Sequence, residues 1–141
     1  MLYVDTSILV GFCTHEGKSP EIHKWYDGSK NAKLLSSTWT FTEFASALSI
    51  KERTGQITSK ESKSAWKLFE AKFTNDIELL PMENKVFYSA GLLVLDSSSK
   101  LRSGDALHLA AAKSFKAKSI ITLDKVLEKN ASRLKIKAIV L

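Results

Sequence analysis

The chain has 141 residues, of which 44% are hydrophobic and 26% charged, and this predicts one globular domain over residues 1–141. No apolar run is long enough to cross a bilayer, and no basic segment precedes the apolar start, so we expect a cytoplasmic protein with no membrane association. The single cysteine, Cys13, excludes an internal disulfide.

The formal net charge of +6 is unevenly distributed along the chain. Residues 100–141 carry ten basic and three acidic side chains, a net charge of +7, whereas residues 1–99 carry 11 basic and 12 acidic ones, a net charge of −1. A basic C-terminal third favours a polyanionic partner, with nucleic acid as the first candidate. A solvated lysine-rich surface would give the same composition, so charge alone leaves both explanations open.

In the first half of the chain, short apolar runs are predicted as strands and longer segments with helical spacing as helices. In chain order these are strand 2–4, helix 7–14, helix 21–27, strand 33–37, helix 40–53 and helix 58–73. The second half repeats the alternation with strand 77–80, helix 84–95, a serine-rich loop at 97–100, helix 104–115, strand 119–122, a short helix at 124–128 and strand 138–141. Ser103 is the predicted N-cap of helix 104–115. Short buried strands separated by helices predict an α/β fold with a parallel sheet covered on both faces.

Four acidic residues occupy positions that packing does not explain. Asp5 and Asp124 follow predicted strands, whereas Glu43 and Asp105 lie in the first turns of apolar helices. Each alone is explained by helix capping or by the helix macrodipole. The carboxyl ends of parallel strands, however, open on one crevice, where the four carboxylates would meet.

Four carboxylates in one crevice repel one another unless a cation neutralises them. Hard oxygen ligands suit Mg²⁺ or Mn²⁺, and the three histidines and one cysteine offer little to zinc. An acidic cation site within a basic protein predicts hydrolysis of phosphodiester bonds, since the basic surface can hold a phosphate backbone.

Four motifs carry a resemblance to a known family. They are Val4-Asp5-Thr6-Ser7-Ile8-Leu9-Val10, then Thr42-Glu43-Phe44, then Leu101-Arg102-Ser103-Gly104-Asp105-Ala106-Leu107-His108-Leu109-Ala110, and Thr122-Leu123-Asp124. In this order the chain resembles a PIN domain, and more narrowly the VapC-like toxins of type II toxin–antitoxin pairs. The resemblance implies a three-layer α/β/α sandwich with a short, mostly parallel central sheet. It also implies a Mg²⁺- or Mn²⁺-dependent endoribonuclease, a homodimer, a cognate antitoxin, and products with a 5′-phosphate and a 3′-hydroxyl.

The resemblance also implies roles for individual residues. Matched to the motifs, the catalytic and metal-binding acids are Asp5, Glu43, Asp105 and Asp124, and the supporting hydroxyls are those of Ser7, Thr6 and Thr122. Arg102, three residues before Asp105, is a candidate for contact with a substrate phosphate, although an ordinary exposed arginine explains it equally well. His108 is predicted to be a packed or capping residue.

Two other functions stay open at this point. A PIN-domain nuclease that processes RNA without being a toxin would carry the same motifs. A catalytically silent RNA-binding module would explain the basic charge but not the four acids. Requirement for a divalent cation separates the nucleases from the simple binder.

Overall fold

The computed structural model describes all 141 residues as alternating strands and helices. The strands are β1 (Leu2–Val4), β2 (Leu34–Ser37), β3 (Ile77–Leu80), β4 (Ser119–Thr122) and β5 (Lys137–Val140). The helices are α1 (Thr6–Cys13), α2 (Ser19–Gly28), α3 (Trp39–Arg53), α4 (Ser59–Asn75), α5 (Asn84–Leu95), α6 (Ser103–Ser114) and α7 (Lys125–Arg133), and a 3₁₀ turn covers Ser97–Ser99. No helix combines the length and the apolar character needed to span a bilayer.

The five strands form one sheet in the order β3-β2-β1-β4-β5, and every neighbouring pair is parallel. In the centre, Tyr3 of β1 pairs with Leu35 of β2 and with Ile120 of β4. All three side chains are fully buried, as expected where helices cover both faces of a sheet. The predicted three-layer α/β/α sandwich is confirmed, and the sheet is parallel throughout.

Side chains alternate between two cores on opposite faces of the sheet. Tyr3, Leu35 and Ile120 pack against α5, α6 and α7, whereas Val4 and Ile121 pack against α1, α2, α3 and α4. The helix α6 lies in the middle of its layer, between α5 and α7, and its residues 106–112 are all buried. This explains why its sequence is rich in alanine, since small side chains let helices approach closely.

Several predicted boundaries differ from the structure. The helix α7 extends to Arg133, beyond the predicted end at residue 128, because Leu127, Asn130 and Ala131 continue its buried face. Ser103 is the first residue of α6 and not its N-cap; Arg102 holds that position and makes no side-chain capping bond. The boundaries of the remaining elements agree with the prediction to within about two residues, as is normal for helix ends.

Candidate active site

The four predicted acids lie around one cavity at the carboxyl edge of the sheet. Asp5 follows β1 and Asp124 lies just after β4, while Glu43 and Asp105 lie in the early turns of α3 and α6. All four line an open cavity of about 410 Å³. The convergence follows from topology, since each of these helices begins where a strand or loop reaches the same edge.

Asp5 is the most enclosed of the four acids, with 6% of its surface exposed. It is the N-cap of α1, where one carboxylate oxygen accepts the backbone N–H of Ser7 at 3.4 Å. The other oxygen accepts the hydroxyls of Ser7 at 2.9 Å and of Thr122 at 2.5 Å. These hydroxyls also accept backbone N–H groups, of Leu123 and Asp124 respectively, and so they join the end of β4 to Asp5.

Thr6 supports a different part of the cavity. Its hydroxyl lies 3.1 Å from Nε2 of His108 and 3.4 Å from the hydroxyl of Thr40. The structure therefore places Ser7 and Thr122 against Asp5, and Thr6 against the histidine behind Glu43.

His108 forms a link that the sequence did not reveal. It is fully buried on α6, one turn after Asp105, and its Nε2 lies 2.5 Å from a carboxylate oxygen of Glu43 and 3.4 Å from Asp5. Its Nδ1 lies 2.8 Å from the hydroxyl of Tyr3, which donates to Ser37 at 3.0 Å. Because the Tyr3 hydroxyl donates its proton to Ser37, we assign Nδ1 as a donor to Tyr3, and Nε2 donates to Glu43.

The charges around this link agree with that assignment. Burial opposes the charged imidazolium, but Tyr3, Asp5 and Glu43 around the ring together raise the pKa of His108 well above its ordinary value. Burial also opposes ionisation of Glu43, but the hydrogen bond and charge of His108, followed by the Thr6 hydroxyl, leave the pKa of Glu43 below its ordinary value. His108 and Glu43 therefore form an ion pair at the wall of the cavity.

Asp105 is less well compensated than Glu43. Burial raises its pKa, as do the carboxylates of Asp124 and Asp5, and Arg102 offsets only part of this effect. The Arg102 Nε lies 3.5 Å from the Asp105 carboxylate, and its side chain is 84% exposed. Arg102 thus stands at the open side of the cavity, where a ligand from solvent can reach it.

The carboxylate of Asp124 lines the cavity and also caps the helix that follows. One oxygen accepts the backbone N–H groups of Val126 at 2.6 Å and Leu127 at 3.1 Å, so Asp124 is the N-cap of α7. The capping that would explain Asp5 or Asp124 alone is therefore present. Capping uses a single oxygen of each, and it does not explain why both groups face the same cavity.

Gly104 is a second feature that the sequence did not reveal. A Cβ atom at this position would lie 2.6 Å from Oε1 of Glu43 and 3.6 Å from Nε1 of Trp39. That indole N–H is buried beside the carboxylate, outside good hydrogen-bond geometry, yet close enough to help lower the pKa of Glu43. Glycine thus lets the first turn of α6 approach Glu43 on α3.

The cavity rim also contains an ion pair between a helix and a loop. Lys51 near the end of α3 lies 2.5 Å from Glu16 in the loop after α1, and only 14% of the lysine side chain is exposed. Both residues line the cavity. Since Glu16 already neutralises Lys51, this lysine does little to offset the charge of the four acids.

The donor atoms fit a hard divalent cation. Ligand atoms of Asp5, Glu43 and His108 lie within 4.8 Å of one another. A ring nitrogen that carries a proton cannot bind a metal, so the hydrogen bond from His108 to Glu43 removes the histidine as a ligand. The carboxylates of Asp5 and Glu43 remain, and carboxylate oxygens are the donors that Mg²⁺ and Mn²⁺ prefer. Asp105 and Asp124 line the same cavity but are not part of this close group.

Comparison with known proteins agrees with the fold. The family model described as PIN domain matches residues 2–132. No curated protein matches the chain. Among solved structures, VapC20 from Mycobacterium tuberculosis, described as a toxin that cleaves the sarcin-ricin loop, is 13% identical with a TM-score of 0.73, over 92% of this chain and 95% of that one.

Two further solved structures have similar folds. The VapBC2 structure from Rickettsia felis, bound to a DNA fragment from its promoter, is 16% identical with a TM-score of 0.67, over 99% of this chain and 98% of that one. The FitAcB structure from Neisseria gonorrhoeae is 13% identical with a TM-score of 0.67, over 98% of this chain and 96% of that one. At these identities the structural likeness shows the fold alone, and the family model identifies the chain. Because the match to this family model covers nearly the whole chain, the chain belongs to the PIN domain family.

Proposed function

We propose that this protein is a divalent-cation-dependent endoribonuclease and the toxin of a toxin–antitoxin pair. The family and its toxin neighbours support a nuclease of the toxin type. The observation that carries the proposal for this chain is that Asp5, Glu43, Asp105 and Asp124 line one cavity although they come from four separate segments. Such a concentration of carboxylates has no packing role.

We assign the cation, Mg²⁺ or Mn²⁺, to the carboxylates of Asp5, Glu43, Asp105 and Asp124. When bound, it would supply an activated water and offset negative charge on the phosphate oxygens. Asp105 is compensated by the protein less well than Glu43, since burial, Asp124 and Asp5 all raise its pKa. We rank Asp124 last among the ligands, because one of its oxygens is engaged by two backbone N–H groups of α7.

The chain's own residues hold the reacting groups in place. Ser7 and Thr122 fix the position of Asp5 through donated hydrogen bonds. His108 does the same for Glu43. Arg102 extends from the open side of the cavity, where its guanidinium can bind a substrate phosphate. Such preorganised groups require little rearrangement when negative charge develops during cleavage.

The proposed partners are RNA, a cognate antitoxin and a second copy of the chain, in the cytoplasm. A proposed antitoxin is in keeping with the fold neighbours, among them a VapBC2 complex with promoter DNA. The basic C-terminal third is in keeping with RNA as the substrate. We propose that residues 1–141 act as one PIN-like domain.

The test is cleavage of total cellular RNA by purified wild type, Asp5→Asn and a matched control, Asp27→Asn. Asp27 is exposed on α2, where its contact is a surface ion pair with Lys30 at 3.9 Å, so the control makes the same chemical change away from the cavity. We expect discrete fragments from wild type and Asp27→Asn with Mg²⁺ or Mn²⁺, and none with EDTA or from folded Asp5→Asn. A folded Asp5→Asn protein with full activity would refute the proposal.

The two other functions predict different results. A nuclease that processes RNA without being a toxin would cut in the same assay, but its expression without a partner would not arrest growth. A silent RNA-binding module would bind RNA equally well with and without EDTA and would not cut it. Growth after induced expression of wild type and Asp5→Asn therefore complements the cleavage assay.

A further inference from the structure

A row of basic side chains lies along one face of α7 and begins beside the cavity. Lys125, Lys129 and Arg133 are all exposed and follow one another at intervals of four residues, which places them in a row on the helix surface. We call these three residues the α7 stripe. The opposite face of the helix is buried against the sheet. Since Lys125 directly follows Asp124, the stripe begins at the cavity and extends about 12 Å from it, at about 1.5 Å per residue.

The stripe is unfavourable for the helix that carries it. Like charges four residues apart repel each other, and the stripe contains two such pairs. Lys125 is also the first residue of α7, where the helix macrodipole disfavours a cation. Residues that destabilise the element in which they lie are expected at functional positions. An anion bound along the stripe would relieve both effects.

The stripe is also poorly neutralised by the protein. Neither Lys125 nor Lys129 takes part in an ion pair, and Arg133 reaches only Asp96, at 3.7 Å. Some lysines elsewhere are paired with acids and so are less available, as in the contacts of Lys51 with Glu16 and Lys33 with Glu78. The cations of α7 are therefore available to a ligand.

Another basic group, Lys113, Lys116 and Lys118, provides a contrast. These three residues are exposed and lie between the end of α6 and the start of β4. The backbone N–H of Lys118 donates to the carbonyl of Met1 at 3.0 Å, which places the group at the amino edge of the parallel sheet. The cavity lies at the carboxyl edge, so these lysines are on the opposite side of the molecule.

We infer that the α7 stripe binds the backbone of single-stranded RNA as it leaves the cavity. The inference rests on the proposed ribonuclease function and names a surface that positions its substrate. Phosphate contacts of this kind carry no sequence information and fix the register of the strand. A single row of three cations matches one strand better than a duplex, whose two backbones lie on either side of a groove.

The experiment compares two triple variants with equal loss of charge, each made in the Asp5→Asn protein. The stripe variant is Lys125→Gln, Lys129→Gln and Arg133→Gln, and the control is Lys113→Gln, Lys116→Gln and Lys118→Gln. Glutamine keeps a high helix propensity, and circular dichroism verifies the fold. Binding of a fluorescent single-stranded oligoribonucleotide of mixed sequence is titrated in EDTA at several salt concentrations, with a DNA duplex as competitor.

We expect the stripe variant to bind RNA at least about tenfold more weakly than its Asp5→Asn parent, and the control to bind nearly as the parent does. Loss of three phosphate contacts should make the slope of log affinity against log salt shallower by about 2, at about 0.7 per contact for single strands. Equal losses in both variants, no loss in the stripe variant, no RNA binding by the parent, or preference for the duplex would each overturn the inference. Because binding is measured without cation or cleavage, failure of the stripe is distinguished from failure of the proposed chemistry.

Discussion

Replacing His108 by alanine should destabilise the protein strongly, although the residue lies in an otherwise apolar helix. The ring is fully buried and contacts Glu43, Asp5, Thr6 and Tyr3. Its loss leaves the Glu43 carboxylate without its counter-charge and also opens a space in the core. Removing one partner of a buried ion pair costs about 3–5 kcal/mol, and the lower part of that range applies because 30% of the Glu43 side chain is exposed.

The assay is urea and thermal unfolding at neutral pH in EDTA, so that no bound cation compensates the carboxylates. A loss of about 3 kcal/mol corresponds to a decrease in Tm of roughly 10 °C for a chain of this length. The control is His15→Ala, an exposed histidine, for which we expect a change within about 0.5 kcal/mol. The double variant His108→Ala with Glu43→Gln should be less destabilised than the sum of the single variants by about 1 kcal/mol or more, because the amide carries no charge to leave unpaired.

A loss below about 1 kcal/mol in His108→Ala would refute this reasoning, as would strict additivity in the double variant. Either result would mean that the contact between His108 and Glu43 contributes to neither the charge balance nor the order of the cavity. Activity alone would not separate these explanations, since an unfolded protein is also inactive.

Three further changes test other parts of the structure. Gly104→Ala should be as stable as wild type, because alanine favours a helix by about 0.5–1 kcal/mol relative to glycine. The variant should nevertheless cleave RNA up to ~100-fold more slowly, because the new Cβ would lie 2.6 Å from the Glu43 carboxylate. A fully active variant would contradict this. Burial raises the pKa of Cys13 to about 12, so iodoacetamide at pH 8 should modify it slowly in the native protein and quickly in urea, and equal rates would show that the thiol is accessible. Hydrogen bonds from Tyr26 and Lys72 lower the pKa of Asp76 below 3.8, so its contribution to stability is present above that pH and lost as pH falls through the folded-state pKa. Urea unfolding should therefore show Asp76→Asn to be less stable than wild type at pH 7, with a difference that shrinks in acid, and a difference independent of pH would exclude this explanation.

Much of the architecture could be predicted from the sequence because it depends on local patterns. Apolar runs of three to five residues between amphipathic segments indicated a parallel sheet, and topology then brought Asp5 and Asp124 to one edge. The end of α7 was missed because its exposed positions are mostly polar or charged. Its buried face consists of Leu127, Asn130 and Ala131, which are spaced along the helix and can be recognised as a face only when the position of the helix on the sheet is known.

The parts of the site that were missed depend on contacts between distant segments. A histidine among alanines and leucines gives no local sign of its partner, and Glu43 is 65 positions away in the chain. Gly104 looks like an ordinary residue at the start of a helix until the carboxylate of Glu43 is seen against it. Thr6 was predicted as one of the supporting hydroxyls, but only the structure shows that it acts on His108, whereas Ser7 and Thr122 act on Asp5.

The most direct test of the central claim is the chemistry of the ends that wild-type protein leaves on cut RNA. If the acidic cavity catalyses hydrolysis by water with a divalent cation, the products carry no 2′,3′-cyclic phosphate, and EDTA or Asp105→Asn prevents their formation. The resemblance to the VapC-like toxins further implies a 5′-phosphate and a 3′-hydroxyl. Fragments that end in a 2′,3′-cyclic phosphate and still form in EDTA would show attack by the RNA's own 2′-hydroxyl. That result would contradict the role assigned to the four carboxylates.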